Sequence, residues 1–184
     1  MISSVLGALE RAGIPYMVVG SFAAALYGVT RTTHDVDIVV ALSQDAIPEL
    51  ARALGEGFYF DEGAAREAVA RSDMFNGLHV ESGLKADFWI LRDDAFSRTQ
   101  FERRRQTNAW GTGGYAASAE DTILSKLLWH KMTPSDRQLA DVRGILRMGG
   151  KGLDFDYLRR WARELGVEDL LNELIEETQW QEDR

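Results

Sequence analysis

The run Asp35-Val36-Asp37-Ile38-Val39-Val40 constrains the fold of this chain more than any other stretch. Its β-branched residues read as a strand. Side chains alternate across a strand, so Asp35 and Asp37 share one face while Val36 and Ile38 pack beneath it. Carboxylates side by side repel one another unless a cation relieves them. The pattern therefore asks for an apolar layer on one side, with the two carboxylates on the other either exposed to solvent or relieved by a cation.

Around this strand, residues 1–117 carry alternating helix and strand signals. Residues 2–12 read as an amphipathic helix with Val5, Leu6 and Leu9 inward, stopped by Gly13. Residues 16–19 form a short apolar strand that ends at Gly20-Ser21, and residues 22–27 a helix that stops at Gly28. Ser43 is placed to cap a helix through Leu54. A strand over 58–60 and a helix over 62–71 follow. Strands over 75–80 and 85–91, separated by Glu81-Ser82-Gly83, read as a hairpin. Asp93 is expected to cap a helix reaching about Arg105, and residues 111–114 a glycine-rich loop.

From Ser118 the chain reads as helical throughout. Ser118-Ala119-Glu120-Asp121 has capping-box spacing with Asp in place of the usual Glu or Gln. Ile123, Leu124, Leu127 and Leu128 lie on one face of the helix that follows. Pro134 opens a helix through Met148, ended by Gly149-Gly150. Two further amphipathic stretches, 153–165 and 167–178, break at Gly166. The expectation is an α+β fold: a core over residues 1–117 and a C-terminal helical region over 118–184 packed on it.

Composition narrows the function classes. The chain has 184 residues, 45% hydrophobic and 27% charged, as in ordinary globular proteins. No apolar run approaches the roughly 20 residues that span a bilayer. The N-terminal segment reads as a helix carrying Glu10 and Arg11 rather than as a leader, and with no cysteine the expected location is the cytoplasm. A net charge of −8 repels polyanions as a whole. Arg98, Arg103, Arg104 and Arg105 form either a local basic patch or a solvated helix end, the second being the more ordinary reading. His34, His79 and His130 are scattered and make no zinc signature. The five tryptophans, at 89, 110, 129, 161 and 180, are expected to pack or to anchor an interface rather than stack bases.

The chemistry lies in the order Gly20-Ser21, Asp35-Val36-Asp37, then Asp87. Oxygen ligands without His or Cys suit magnesium, which keeps waters and accepts substrate phosphates as further ligands. If Asp87 lies on a neighbouring strand its carboxylate completes the cluster, with Lys85 and Trp89 on its face. Glycine lets a phosphate approach the backbone, and the N–H groups opening the next helix suit an anion. Singly, each feature is also ordinary turn or strand chemistry. Their succession points to a bound nucleoside triphosphate with Mg2+.

At these residues the chain resembles the nucleotidyltransferase superfamily with the polymerase-beta-like core. Its signature is a strand ending in Gly-Gly or Gly-Ser, then Asp-x-Asp, then a third Asp on a later strand. Within that superfamily it is most similar to the AbiEii/AbiGii toxin-like group. The likeness is carried by GVTRTTHDVD over residues 28–37, LKADF over 84–88, AEDTILSK over 119–126 and DRQLADVR over 136–143.

The resemblance implies a mixed β-sheet with flanking helices. It implies that Asp35, Asp37 and Asp87 ligate magnesium, that Asp87 helps deprotonate an acceptor hydroxyl, and that Gly20 and Ser21 hold the triphosphate. Lys126 would face the nucleotide or acceptor, or else is a surface lysine. Arg31 and Thr33 reach a phosphate or brace the loop before the Asp pair. Asp136, Arg137 and Asp141 are expected in surface ion pairs. The implied activity is transfer of a nucleoside monophosphate to a hydroxyl of a tRNA end, a protein or a small molecule such as an aminoglycoside, with an antitoxin protein as partner. The alternative is a degenerate module that binds nucleotide or protein without turnover.

Overall fold

The computed structural model describes residues 2–29 and 31–182, without the side chains of Lys151 and residues 179–182. Thr30 and the Trp180 side chain therefore lie outside the described residues. The chain divides into two compact units: residues 1–22 with 32–117, and residues 23–31 with 118–184.

In the first unit the helices are α1 (Ile2–Arg11), α3 (Ile47–Leu54), α4 (Glu62–Arg71) and α5 (Ala95–Glu102). The strands are β1 (Tyr16–Val18), β2 (Asp35–Val40), β3 (Phe58–Phe60), β4 (Met74–His79), β5 (Lys85–Ile90), β6 (Arg105–Thr107) and β7 (Gly114–Ala116). α2 (Gly20–Ala25) starts in this unit and passes into the other.

The strands form one mixed sheet in the order β3-β4-β5-β2-β1-β7-β6. β2 runs parallel to β5 and β1 parallel to β7, while the remaining neighbours are antiparallel. One face of the sheet is apolar: Val36, Ile38 and Val40 of β2, Ala86, Phe88 and Ile90 of β5, and Phe75 of β4 are buried. They form one core with Val5, Leu6 and Leu9 of α1, Ile47, Leu50 and Leu54 of α3, and Ala65 and Ala68 of α4. The alternation along β2 thus turns one face into the core and leaves the Asp35 and Asp37 face half-buried.

Several expectations need correction here. The helix expected from Asp93 to about Arg105 is capped one residue later, by Asp94, whose carboxylate accepts from the Ser97 amide. It ends at Glu102, and Arg105-Gln106-Thr107 is an edge strand antiparallel to β7. Gly114, expected in a loop, opens β7 where a Cβ would fit only tightly, 3.0 Å from Leu6 Cδ1. Ser43 makes no side-chain cap; it precedes a single 3₁₀ turn, and α3 begins with Pro at its first turn.

The second unit is helical: α6 (Ala119–Met132), α7 (Asp136–Gly149), α8 (Phe155–Leu165) and α9 (Glu168–Glu182). Ser118 caps α6, its Oγ accepting from the Asp121 amide at 3.1 Å. Gly166 ends α8 in the left-handed conformation. Ile123, Leu124, Leu127, Val142, Ile145, Leu158, Ala162, Leu171 and Leu174 are all buried. Residues 23–31 join this unit closely enough that a Cβ on Gly144 would stand 2.9 Å from Val29 Cγ2. No described helix is long and apolar enough to cross a membrane.

Candidate active site

The site begins with strand pairing. β2 and β5 are aligned so that Asp35 lies beside Lys85, Asp37 beside Asp87 and Val39 beside Trp89. Partners abreast on parallel strands share a face and lie about 4.8 Å apart in the pairing direction. Asp35, Asp37, Lys85, Asp87 and Trp89 therefore project on the sheet face opposite the core. Asp37 and Asp87 are abreast. Asp35 is two residues back along β2, a rise of about 6.6 Å. Among the described residues no three His, Asp or Glu side chains stand close enough together to hold a metal ion. Asp37 and Asp87 stand as a pair abreast, with Asp35 one rung away.

The same pairing delivers Gly20. β1 and β2 are antiparallel with Val18 opposite Ile38, and the Val19 amide continues the ladder by donating to the Asp37 carbonyl at 2.9 Å. The next residue, Gly20, turns the chain into α2 with φ of 63°, a conformation that favours glycine. A Cβ there would overlap Oδ2 of Asp37 and stand 2.9 Å from its Cγ. The first turn of α2 thus closes directly onto the Asp37 carboxylate.

Each central carboxylate also has neighbours that the sequence reading left without a role. The Trp89 indole N–H donates to Asp37 Oδ1 at 3.2 Å. Asn76, abreast of Asp87 on β4, donates its amide to Asp87 Oδ1 at 3.4 Å. Lys85 Nζ lies 3.8 Å from the same oxygen, and the Asp87 side chain is only 13% exposed. The signal for Asn76 was the alternation Met74, Asn76, Leu78 against Phe75, Gly77, which becomes informative only once the hairpin register is known. Thr33 Oγ1 donates to the Asp35 carbonyl at 3.2 Å, bracing the entry to β2.

Arg31 and Lys126 belong to the helical unit, and there both converge on Asp141. Lys126 Nζ is 2.7 Å from Asp141 Oδ2 and 3.1 Å from Gln138 Oε1; Arg31 Nε is 3.3 Å from the same Asp141 oxygen. The Lys126 and Asp141 side chains are 5% and 4% exposed. Asp141, expected in a surface ion pair, is instead the buried hub of a three-residue charge cluster, and the surface reading of Lys126 is likewise overturned. Two cations on one carboxylate are what make that burial tolerable. Of the arginine cluster, Arg98 pairs with Asp93, while Arg104 lies over the Phe101 ring at 4.4 Å and the Tyr115 ring at 5.1 Å.

No protein-family model matches this sequence, and no curated protein is significantly similar to it. Solved structures do resemble it. An antigenic nucleotidyltransferase-like protein from Paracoccidioides brasiliensis aligns with a TM-score of 0.51 at 19% identity, over 95% of this chain and 90% of its own. The antibiotic-resistance factor ANT(2'')-Ia aligns with a TM-score of 0.53 at 14% identity, over 94% and 92%. JHP933 from Helicobacter pylori gives 0.51 at 13% identity, over 99% and 92%. The chain therefore has a nucleotidyltransferase-like α+β fold, with a seven-stranded mixed sheet and flanking helices.

Proposed function

We propose that this chain is a nucleotidyltransferase that moves a nucleoside monophosphate from a nucleoside triphosphate to a hydroxyl acceptor. The observation that carries the reading is the junction of Gly20 and Asp37. An unsubstituted backbone turn closes on one carboxylate while a second, Asp87, stands abreast of it on the parallel strand. Turn and carboxylates occur together where a triphosphate and a cation would have to meet.

The donor set fits a hard divalent cation. It offers carboxylate oxygens only, and magnesium binds through one or two carboxylates, water and substrate phosphates rather than through a full protein cage. Asp35, Asp37 and Asp87 would hold it, Asp37 and Asp87 from adjacent strands and Asp35 from the next rung. Bound there, magnesium supplies charge neutralisation for the phosphate oxygens. Gly20 and Ser21 would hold the triphosphate where α2 begins.

In the reaction the acceptor oxygen attacks the α-phosphorus. A new P–O bond forms, the bond from the α-phosphorus to its β-bridging oxygen breaks, and pyrophosphate departs. The Asp87 carboxylate takes the acceptor proton; burial and Asn76 hold it in one orientation for that task.

The acceptor is a hydroxyl of a tRNA end, a protein or a small molecule, and the AbiEii/AbiGii-like stretches add an antitoxin protein that restrains the activity. A second reading, a module that binds without turnover, is favoured by one observation. Asp37 and Asp87 already receive hydrogen bonds from Trp89 and Asn76, and no ligand trio is assembled among the described residues. Incubation with each α-labelled nucleoside triphosphate, magnesium and pooled tRNA, protein and small-molecule acceptors separates the two. The enzyme labels an acceptor, and Asp35→Ala/Asp37→Ala does not. Magnesium-dependent binding with no labelled product from any pool would establish the second reading instead.

A further inference from the structure

Resting on the reading above, we infer that Trp89 is a positioning residue for Asp37: its indole N–H sets the orientation in which that carboxylate meets a divalent cation. Strand geometry brings them together. Trp89 lies on β5 abreast of Val39, one rung beyond Asp37 and Asp87, so its side chain shares the acidic face. Its Nε1 donates to Asp37 Oδ1 at 3.2 Å. The ring is half-buried, with Met74 abreast on the other side.

Three features make this contact more than packing. An indole N–H is a donor only, so Trp89 adds no charge and no competing ligand to an acidic site. It engages Oδ1, while Oδ2 of the same carboxylate faces the backbone turn at Gly20. The carboxylate is thus held from two sides, by a donor from β5 and by the glycine turn entering α2. Finally, a strand aspartate left to itself rotates about two side-chain bonds, and groups that hydrogen-bond a metal's ligands typically alter metal affinity 10–100-fold when removed. Asn76 plays the corresponding part for Asp87 at a longer 3.4 Å. Trp89 is the sharper case because its bond is shorter and its partner sits against the turn.

The test compares wild type, Trp89→Phe, Trp89→Gln and Asp37→Asn, reading binding of Mn2+ alone by the paramagnetic resonance of the free ion. Circular dichroism verifies that each variant is folded. Phe keeps an aromatic ring and loses the donor; Gln keeps a donor at similar reach from the backbone and loses the ring. The inference predicts that Trp89→Phe weakens Mn2+ about 10-fold and that Trp89→Gln recovers most of that loss. It is overturned if Trp89→Phe binds as wild type does, or if Gln weakens binding as much as Phe, since the ring and not the donor would then matter. Wild type that binds no Mn2+, or Asp37→Asn that binds it equally well, overturns this inference together with the metal-site reading. Failure confined to the Trp89 variants overturns this inference alone.

Discussion

At position 20 glycine meets two demands at once, a φ of 63° and the absence of any space beside Asp37. Gly20→Ala should therefore do more than strain the backbone. It should push the Asp37 carboxylate away from the turn, costing about 1–3 kcal/mol in a urea titration and weakening divalent-cation binding along with stability. A variant that loses stability but keeps Mn2+ affinity would show that the turn serves the fold alone.

The same scale governs the buried cluster at Asp141. Lys126→Met should cost about 3 kcal/mol by leaving Asp141 with only the partly exposed Arg31. Lys126→Met/Asp141→Leu should cost less than the two single changes added together, because the uncompensated charge is gone. Unfolding titrations of the four proteins in that cycle check it; strict additivity would mean that the pair is not coupled. Alternation placed Asp35 and Asp37 on one face of their strand, as the register has them, and Asp87 stands beside Asp37 on the neighbouring strand. Sequence reading misplaced Asp141 because the charge pattern of a helix does not say which face another helix covers.

At the scale of elements, the clearest signals were those written in periodicity and capping. The helix over residues 62–71 and the strand over 58–60 form where the pattern placed them, and Ser118 caps α6 as its spacing foretold. Ser118→Ala removes an Oγ that accepts from the Asp121 amide and donates to Asp121 Oδ2 at 2.7 Å, all of it buried. The expected loss is about 2 kcal/mol, read as a fall in melting temperature. A change under a few tenths would mean that the cap adds nothing to stability beyond the bond that the Tyr157 hydroxyl donates to the Asp121 carboxylate. The misses are as physical. β6 is three polar residues, Arg105-Gln106-Thr107, too short to alternate and too hydrophilic to stand out from the end of a helix. Its identity comes from pairing with β7, a long-range fact absent from local pattern.

On the scale of the whole molecule, the fold is that of nucleotidyltransferase-like proteins although the identities are 13–19%. Such a chain keeps its architecture through the hydrophobic face of one sheet. Here the opposite face carries Asp35, Asp37 and Asp87 on two adjacent parallel strands, with Gly20 turning onto the central one. A net charge of −8 disfavours any polyanion without local compensation. Binding of a triphosphate should therefore depend steeply on the divalent cation that neutralises both partners.

The most direct measurement is calorimetric binding of each of the four nucleoside triphosphates, with and without magnesium, to wild type and to Asp35→Ala/Asp37→Ala. The account predicts binding of at least one triphosphate by wild type that needs magnesium and disappears in the double variant. Absence of binding to all four, or binding that survives both the loss of magnesium and the loss of the two carboxylates, would contradict it.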